Sequence, residues 1–488
     1  MSNTSITNLK VWSFFLGLLI ISFSAAFALY SVKHQLGGYD LSPLIDLQWR
    51  LSNGELPHVD FLNTLPYAFI LLVKAVSWGE LSWLDLTYIN ILAAFVIYAF
   101  IVICGRNQIA ANVFWLGAIS VSLPLIYTNH LWHSSISQYF AMFFFIATYI
   151  GLDKRKLSFL DYLMIFVSAG LLITAKQNIA APILLLATVF FAITSQNRKI
   201  SLVIIFGSIT GLTISSLILS QPIDSFIYIY TSVLGRVETD LSMYTAFAIV
   251  KTHWVAVPLM LFITYLFYRS AQIQSSNHRL FLYIFAFASL IPILTDWDTK
   301  WNNLSLPIFI AVISYFSGAS NSYKTHQTSA FMFSVIVLYL VAGYGGLIRE
   351  RMKHVGPFYQ DPAEVELTDG YFKGLYVGTN LAGLINELHQ VRDEWSEAKI
   401  FFGPRIEFAY LETQTPSPNQ FPLWFHPGTS YAMTDSNRVI QTFKNADFEV
   451  LVFAKNDRTR LPVEILQFID IFYSADNQYD TVDVFIRR

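Results

Sequence analysis

The chain has 488 residues, of which 54% are hydrophobic, 16% aromatic and only 13% charged, with a formal net charge of -2. That is too much apolar surface for one soluble core and marks a multi-span membrane protein. The near-neutral balance excludes a nucleic-acid partner, which demands a basic face to neutralise phosphates, and the single cysteine, Cys104, excludes an intrachain disulfide or a cysteine-cluster metal site.

The first apolar run, Val11 to Val32, follows Lys10 and contains Ala-Phe-Ala. It is longer than the roughly 7 to 15 apolar residues of a signal peptide, so it reads as a span. Next comes the stretch around which the chain is organised, Gly37 to Phe61, GGYDLSPLIDLQWRLSNGELPHVDF. Ser42 followed by Pro43 predicts a helix start, and Gly54 predicts its end. Leu44, Ile45, Leu47, Trp49 and Leu51 give it an apolar side, with Asp46 and Arg50 as an i,i+4 pair on the wet side. Such a helix is expected to lie along a membrane surface. It would hold Asp40, just before the cap, and Asp60, just past its end, at the lip of the bilayer.

Thr64 to Gly79, TLPYAFILLVKAVSWG, is apolar but short and reads as a second interfacial helix, because a span here would invert every later loop. Spans then follow near 84 to 104, 110 to 126, 135 to 152, 157 to 174, 179 to 195, 201 to 220, 253 to 269, 280 to 295, 304 to 318 and 329 to 348. With the first run that makes about eleven. Gly207 and Gly211, one turn apart, predict close helix packing. The external loop from Gln221 to Thr252 contains FIYIY and Arg236, and predicts a further surface helix.

One set of alternate loops holds Lys10, Arg106, Lys154 to Lys156, Arg198, Lys199, Arg269, Arg279 and Lys324, with few acids. The opposite set carries Asp40, Asp46, Glu55, Asp60, Glu80, Asp224, Glu238, Asp240, Asp296 and Asp298. The positive-inside rule puts the N-terminus in the cytoplasm, and the first loop and the tail outside. After about Leu347 the composition becomes that of a soluble domain. Helical patterns near 379 to 397, 435 to 445 and 462 to 470 alternate with strand-like KIFFG, FEVLVFA and TVDVFI, predicting a small α/β layer. The expected division is a transmembrane domain over 1–348 and an α/β domain over 349–488.

Asp40 and Asp60 are the first candidates for chemistry: a carboxylate at a dry membrane margin can act as a base whose pKa burial raises, or can be a solvated helix-capping acid. His130 and His133 in TNHLWHSS have an i,i+3 spacing that suits one metal, or backbone hydrogen bonding at the interface. Lys176, in ITAKQNIAAP, lies where two spans meet outside, and its ammonium there faces either an anion such as a phosphate or the lipid headgroups. Asp296, Asp298 and Lys300, in TDWDTKWNN, form another external cluster, with Trp297 and Trp301 at headgroup level. Tyr410, Trp424, His426 and Tyr431 would either stack on a sugar ring or pack the tail against the membrane part. No Walker, GxGxxG, HExxH or GxSxG motif occurs, which leaves nucleotide hydrolysis, dinucleotide chemistry, zinc proteolysis and serine hydrolysis without support. No organic cofactor is expected, and a divalent metal stays open.

The order of these features resembles the GT-C superfamily of membrane glycosyltransferases, which includes the protein O-mannosyltransferases and the aminoarabinose transferases. The resemblance rests on a first external loop with an early acid, then GELPHVDF, then LPYAFILLVKAVSWGELSW, which is similar to the family's proline-led interfacial helix. AKQN is similar to a threonine-lysine motif, here offset to Thr174, Ala175 and Lys176. The resemblance implies a multi-span fold with interfacial helices in the first external loop and, as in some bacterial members, an extracytoplasmic α/β domain, in the cell (inner) membrane. It implies a polyprenyl-phosphate sugar as donor, Asp40 as the base, and Lys176, with Lys300 and Arg236 as alternatives, at the donor phosphate. The chain departs from the family in having Tyr39 and Asp40 for the usual pair of acids, and HLWH where a second-loop acid is common. A polymerase or ligase of lipid-linked oligosaccharides and a transporter of such lipids are the competing classes.

Overall fold

A computed structural model describes residues 3–34, 38–77, 79–105, 112–127, 131–153, 157–194, 198–220, 225–229, 276–295, 305–310, 364–427, 430–455, 457, 461–476 and 478–488. The runs expected near 253 to 269 and 329 to 348, most of that near 304 to 318, and His130, Arg236, Asp298 and Lys300 lie outside the described residues. The helices are α1 (Asn3–His34), α2 (Gly38–Ser52), α3 (Tyr67–Val76), α4 (Asp85–Gly105), α5 (Asn112–Tyr127), α6 (His133–Asp153), α7 (Phe159–Ile173), α8 (Gln177–Ile193), α9 (Arg198–Ile218) and α10 (Ser276–Thr295). Among the described residues, stretches of α1, α4, α6 and α9 are long and apolar enough to cross a membrane, and α3, α5, α7 and α8 are shorter apolar helices. Many large apolar side chains on these helices face outward, Trp12, Phe23, Phe206 and Leu217 among them, as a lipid-facing surface requires.

Where helices meet, packing replaces the hydrophobic effect, and small residues allow backbones to touch. A Cβ on Gly211 of α9 would lie 2.2 Å from the Gly170 carbonyl oxygen of α7, and one on Gly207 would lie 2.4 Å from the Phe166 carbonyl oxygen. The glycine pair read from the sequence as packing is therefore the α7–α9 crossing. Elsewhere the bundle fills with rings: Phe281 and Phe285 of α10 lie 4.4 Å apart, with Phe145 of α6 at 5.2 Å from Phe285 and Phe190 of α8 at 5.4 Å from Phe281.

The tail contains a hairpin of β1 (Val365–Glu366) and β2 (Tyr376–Val377), then α11 (Thr379–Glu394), β3 (Ile400–Phe402), α12 (Ala409–Glu412), α13 (Ser436–Asn445), β4 (Val450–Ala454), α14 (Val463–Phe472), β5 (Tyr473–Asp476) and β6 (Val482–Arg487). The sheet order is β3-β4-β6-β5, with β3 and β4 parallel and the other pairs antiparallel. Every residue of β4 is buried, because the sheet is covered on both faces. Strand alternation splits the core in two. Phe401, Leu451 and Phe453 join Val439 and Phe443 of α13 and Ile465 of α14, whereas Ile400, Phe402, Val450 and Val452 join a cluster that runs without a break into Leu44, Ile45 and Leu47 of α2. The tail is thus docked on α2 through apolar contact.

Candidate active site

α2 ends as its sequence predicts. Gly54 takes φ +81, and the pair of bonds Glu55 N–H to Arg50 O (2.9 Å) and Gly54 N–H to Leu51 O (3.3 Å) closes the helix as a Schellman motif. Its surroundings differ from the expected membrane surface. The supposed wet pair is buried, Asp46 at 1% exposure and Arg50 at 2%. Arg50 donates to Asp46 (2.8 Å), Glu55 (2.8 Å) and the Pro418 carbonyl (3.2 Å), and its guanidinium lies 5.1 Å from the centre of the Phe61 ring. Ser417 donates to the other Asp46 oxygen at 2.5 Å, and Trp49 Nε1 donates to Thr415 O at 3.0 Å. The tail therefore roofs the helix. Burial alone would lower the Arg50 pKa, but Asp46 and Glu55 outweigh it and hold the guanidinium charged.

The helix start is corrected too. α2 begins at Gly38, so Ser42 and Pro43 lie inside it and Asp40 lies in its first turn. Instead of capping, the Ser42 hydroxyl donates to Glu407 Oε2 (2.7 Å) and accepts from the Phe408 N–H (3.1 Å). Glu407 also accepts from the Arg405 N–H at 3.1 Å. Burial pushes Glu407 up to about 7, against the Ser42 hydroxyl and the backbone donors that favour its charged form. Asp40 thus stands two residues from the side chain that fastens α2 to the tail.

Asp60 holds its own loop. Its carboxylate accepts from the Leu56 N–H at 2.7 Å, and its carbonyl accepts from the Gln420 N–H. The chain then pairs with the tail at Leu62 and Pro422, Leu62 N–H donating to Phe421 O (2.9 Å) and Leu423 N–H to Leu62 O (3.0 Å). His58 in the same loop has φ +64, and burial pulls its imidazole down to about 4.

α3 carries the loop to Lys176. Its Ala68 N–H donates to Thr174 O (2.9 Å) at the turn between α7 and α8. Lys176 is the N-cap residue of α8, its N–H donating to Ser137 Oγ (2.9 Å) and its ammonium to Ser134 Oγ (3.4 Å), both on the first turns of α6. His133 is the first residue of α6, its ring 4.5 Å from that of Trp132 and edge-on to Phe69 of α3 at 6.4 Å. A cation bonded to Ser134 in the first turn of a 21-residue helix, where the helix end is itself positive, makes a place that favours an anion. Of the 221–252 loop the described residues are 225–229, a short helix in which Ser225 and Ile229 are buried. Gln177 donates to Ile229 O (3.3 Å), Tyr67 faces Phe226 at 6.0 Å, and Tyr228 donates to Asp435 of the tail at 2.6 Å. Contacts thus run in a ring from the loop through α3, Lys176 and Gln177 and this helix to the tail, and back from the tail to the loop.

The aromatic candidates divide. Tyr410 is 2% exposed, its hydroxyl accepting from Phe402 N–H (3.0 Å) and donating to Phe402 O (3.2 Å), so it is a core residue of the tail with no face for a sugar. Tyr431 is buried as well. Trp424 is half-buried and packs on the continuous core, while His426 keeps partial exposure beside it. Sequence reasoning missed Glu407, whose role depends on Ser42 far upstream, Arg405, whose backbone N–H Glu407 accepts, and Tyr228.

No family model and no curated protein matches the chain. Solved structures do. ArnT from Cupriavidus metallidurans bound to undecaprenyl phosphate aligns with a TM-score of 0.52 at 11% identity, covering 96% of this chain and 97% of that one. The same protein in the apo state gives 0.53 at 10%. The archaeal oligosaccharyltransferase AglB from Archaeoglobus fulgidus, in complex with an inhibitory peptide and a dolichol-phosphate, gives 0.51 at 11%, covering 97% of this chain and 74% of that one. At such identities the likeness is one of fold: the chain is a membrane protein that shares its fold with ArnT and AglB.

Proposed function

We propose that the chain is a glycosyltransferase that moves a sugar from a polyprenyl phosphate to a lipid, glycan or protein acceptor on the extracytoplasmic side. The observation that carries this reading is Lys176, held by Ser134 and Ser137 at the N-terminus of α6, in the turn that α3 bonds at Thr174. It is supported by a fold shared with two proteins solved with polyprenyl phosphates bound. Asp40 takes the proton of an acceptor hydroxyl, and the resulting oxygen bonds to the anomeric carbon from the face opposite the phosphate. The carbon–oxygen bond to the phosphate breaks with its electron pair, and the polyprenyl phosphate leaves with inversion at the carbon. Lys176 and the α6 amides stabilise the charge that develops on the leaving group, where a fixed cation in a water-poor site is most effective.

Purified protein incubated with labelled polyprenyl-phosphate sugars should consume one of them, and Lys176→Ala should weaken binding of polyprenyl phosphate while the protein stays folded. Consumption of none, together with unchanged polyprenyl-phosphate affinity in Lys176→Ala, would remove the basis of this reading. The orientation follows the loop charges, so a phosphatase reporter fused after Arg488 should be active. An inactive one places the ring on the cytoplasmic side.

A further inference from the structure

The tail carries a groove of about 380 Å³, within the range of small-molecule pockets, between the segment from Pro418 to Phe421 and one face of α13. Arg438, Gln441, Thr442 and Asn445 recur at i, i+3, i+4 and i+7, so they share one side of α13, while Val439, Ile440 and Phe443 bury the other. Asn419 and Gln420 stand on the opposite wall. Among the described residues that line the groove none is acidic, although the tail as a whole has more carboxylates than cations.

Among the described residues none of these six side chains makes a side-chain hydrogen bond, and Arg438 is exposed and makes no ion pair, its charge acting on Tyr228, whose hydroxyl donates to Asp435. Lys399 closes one end, its ammonium on the Ala446 carbonyl at 2.6 Å and 5.4 Å from the centre of the Phe448 ring. Side-chain amides both donate and accept, which matches sugar hydroxyls, and a guanidinium matches a planar anion in bidentate fashion. Gln420 is held at φ +62, a conformation uncommon for a residue with a side chain. Its N–H is bonded to the carbonyl of Asp60, so the groove wall is stitched to the loop that leaves α2.

We propose that this groove binds an anionic glycan, the saccharide hydroxyls on the amides and the acidic group on Arg438, and that it holds the acceptor or product strand of the transfer. The second clause rests on the glycosyltransferase reading, and the first does not.

The test is a calorimetric titration of the full chain in detergent with tetragalacturonate at low salt. Binding is expected, weaker for the neutral maltotetraose, and weakened about tenfold or more by Arg438→Glu, as loss of a charge-assisted hydrogen bond implies. Gln441→Ala with Asn445→Ala should weaken it too. These side chains are exposed or rim-lying, so the unfolding midpoint should not move. Equal affinity of wild type and Arg438→Glu, or no binding at millimolar glycan, overturns the proposal. So does tetraglutamate binding as tightly as tetragalacturonate, which would assign the groove to an acidic peptide. Lys176→Ala should retain tetragalacturonate binding. If no lipid-linked donor is ever consumed, the catalytic reading fails while the glycan site stands or falls on its own titration.

Discussion

Replacing Arg50 with methionine keeps much of the side-chain volume and removes the charge that Asp46 needs. Asp46 is 1% exposed, so without Arg50 its carboxylate keeps only the Ser417 hydroxyl at 2.5 Å. Breaking a buried ion pair from one side costs about 3–5 kcal/mol, since an uncompensated charge remains in a dry site. Glu55 is 18% exposed and regains water when Arg50 leaves, so it adds little. The loss should therefore sit near the Asp46 figure rather than at the sum of the three Arg50 bonds. Equilibrium unfolding in mixed detergent measures it, and limited proteolysis reports whether the tail, held through Pro418, lifts off. The second arm is Asp46→Leu with Arg50→Met: removing both charges is often neutral or stabilising, so most of the loss should return. A double variant as unstable as Arg50→Met would refute the reasoning, because the cost would then lie in lost packing and not in a stranded charge.

Gly211→Val should cost about 1–3 kcal/mol or abolish accumulation by forcing α7 and α9 apart, while Gly79→Ala, with nothing within 4 Å of its added carbon, should be neutral in the same assay. Glu407 has a folded pKa of about 7, above its ordinary 4.5, so it contributes stability that is fully present below pH 4.5 and is lost as pH rises through about 7. The loss is worth about 3 kcal/mol at most, and Glu407→Gln should flatten that part of the stability–pH curve; an unchanged curve would assign the dependence elsewhere. Asp40→Asn should lower transfer by about 100- to 10,000-fold as loss of a general base, whereas Asp60→Asn should show first as loop destabilisation through Leu56. Near-normal transfer by Asp40→Asn in folded protein would move the base elsewhere.

The apolar runs, the Gly54 stop and the Gly207–Gly211 crossing were legible in the sequence because each depends on neighbours within a turn or two, or on composition alone. So were the helices and strands of the tail near 379 to 397, 435 to 445, KIFFG and FEVLVFA, where periodicity switches between 3.6 and 2. The environment of α2 was not legible. An Asp and an Arg four residues apart satisfy each other equally well in water or inside a protein, so the spacing cannot say which medium surrounds them. What buries them are Ser417 and Pro418, and what takes Ser42 from its expected cap is Glu407, 365 residues away along the chain. The choice left open for Tyr410, stacking on a sugar or packing, was undecided in the sequence for the same reason, since its burial depends on the segments that fold over it. Local periodicity determines which segments become helices and which side of each is apolar; what lies against that side is settled when distant segments compete to cover it, which only the tertiary structure decides.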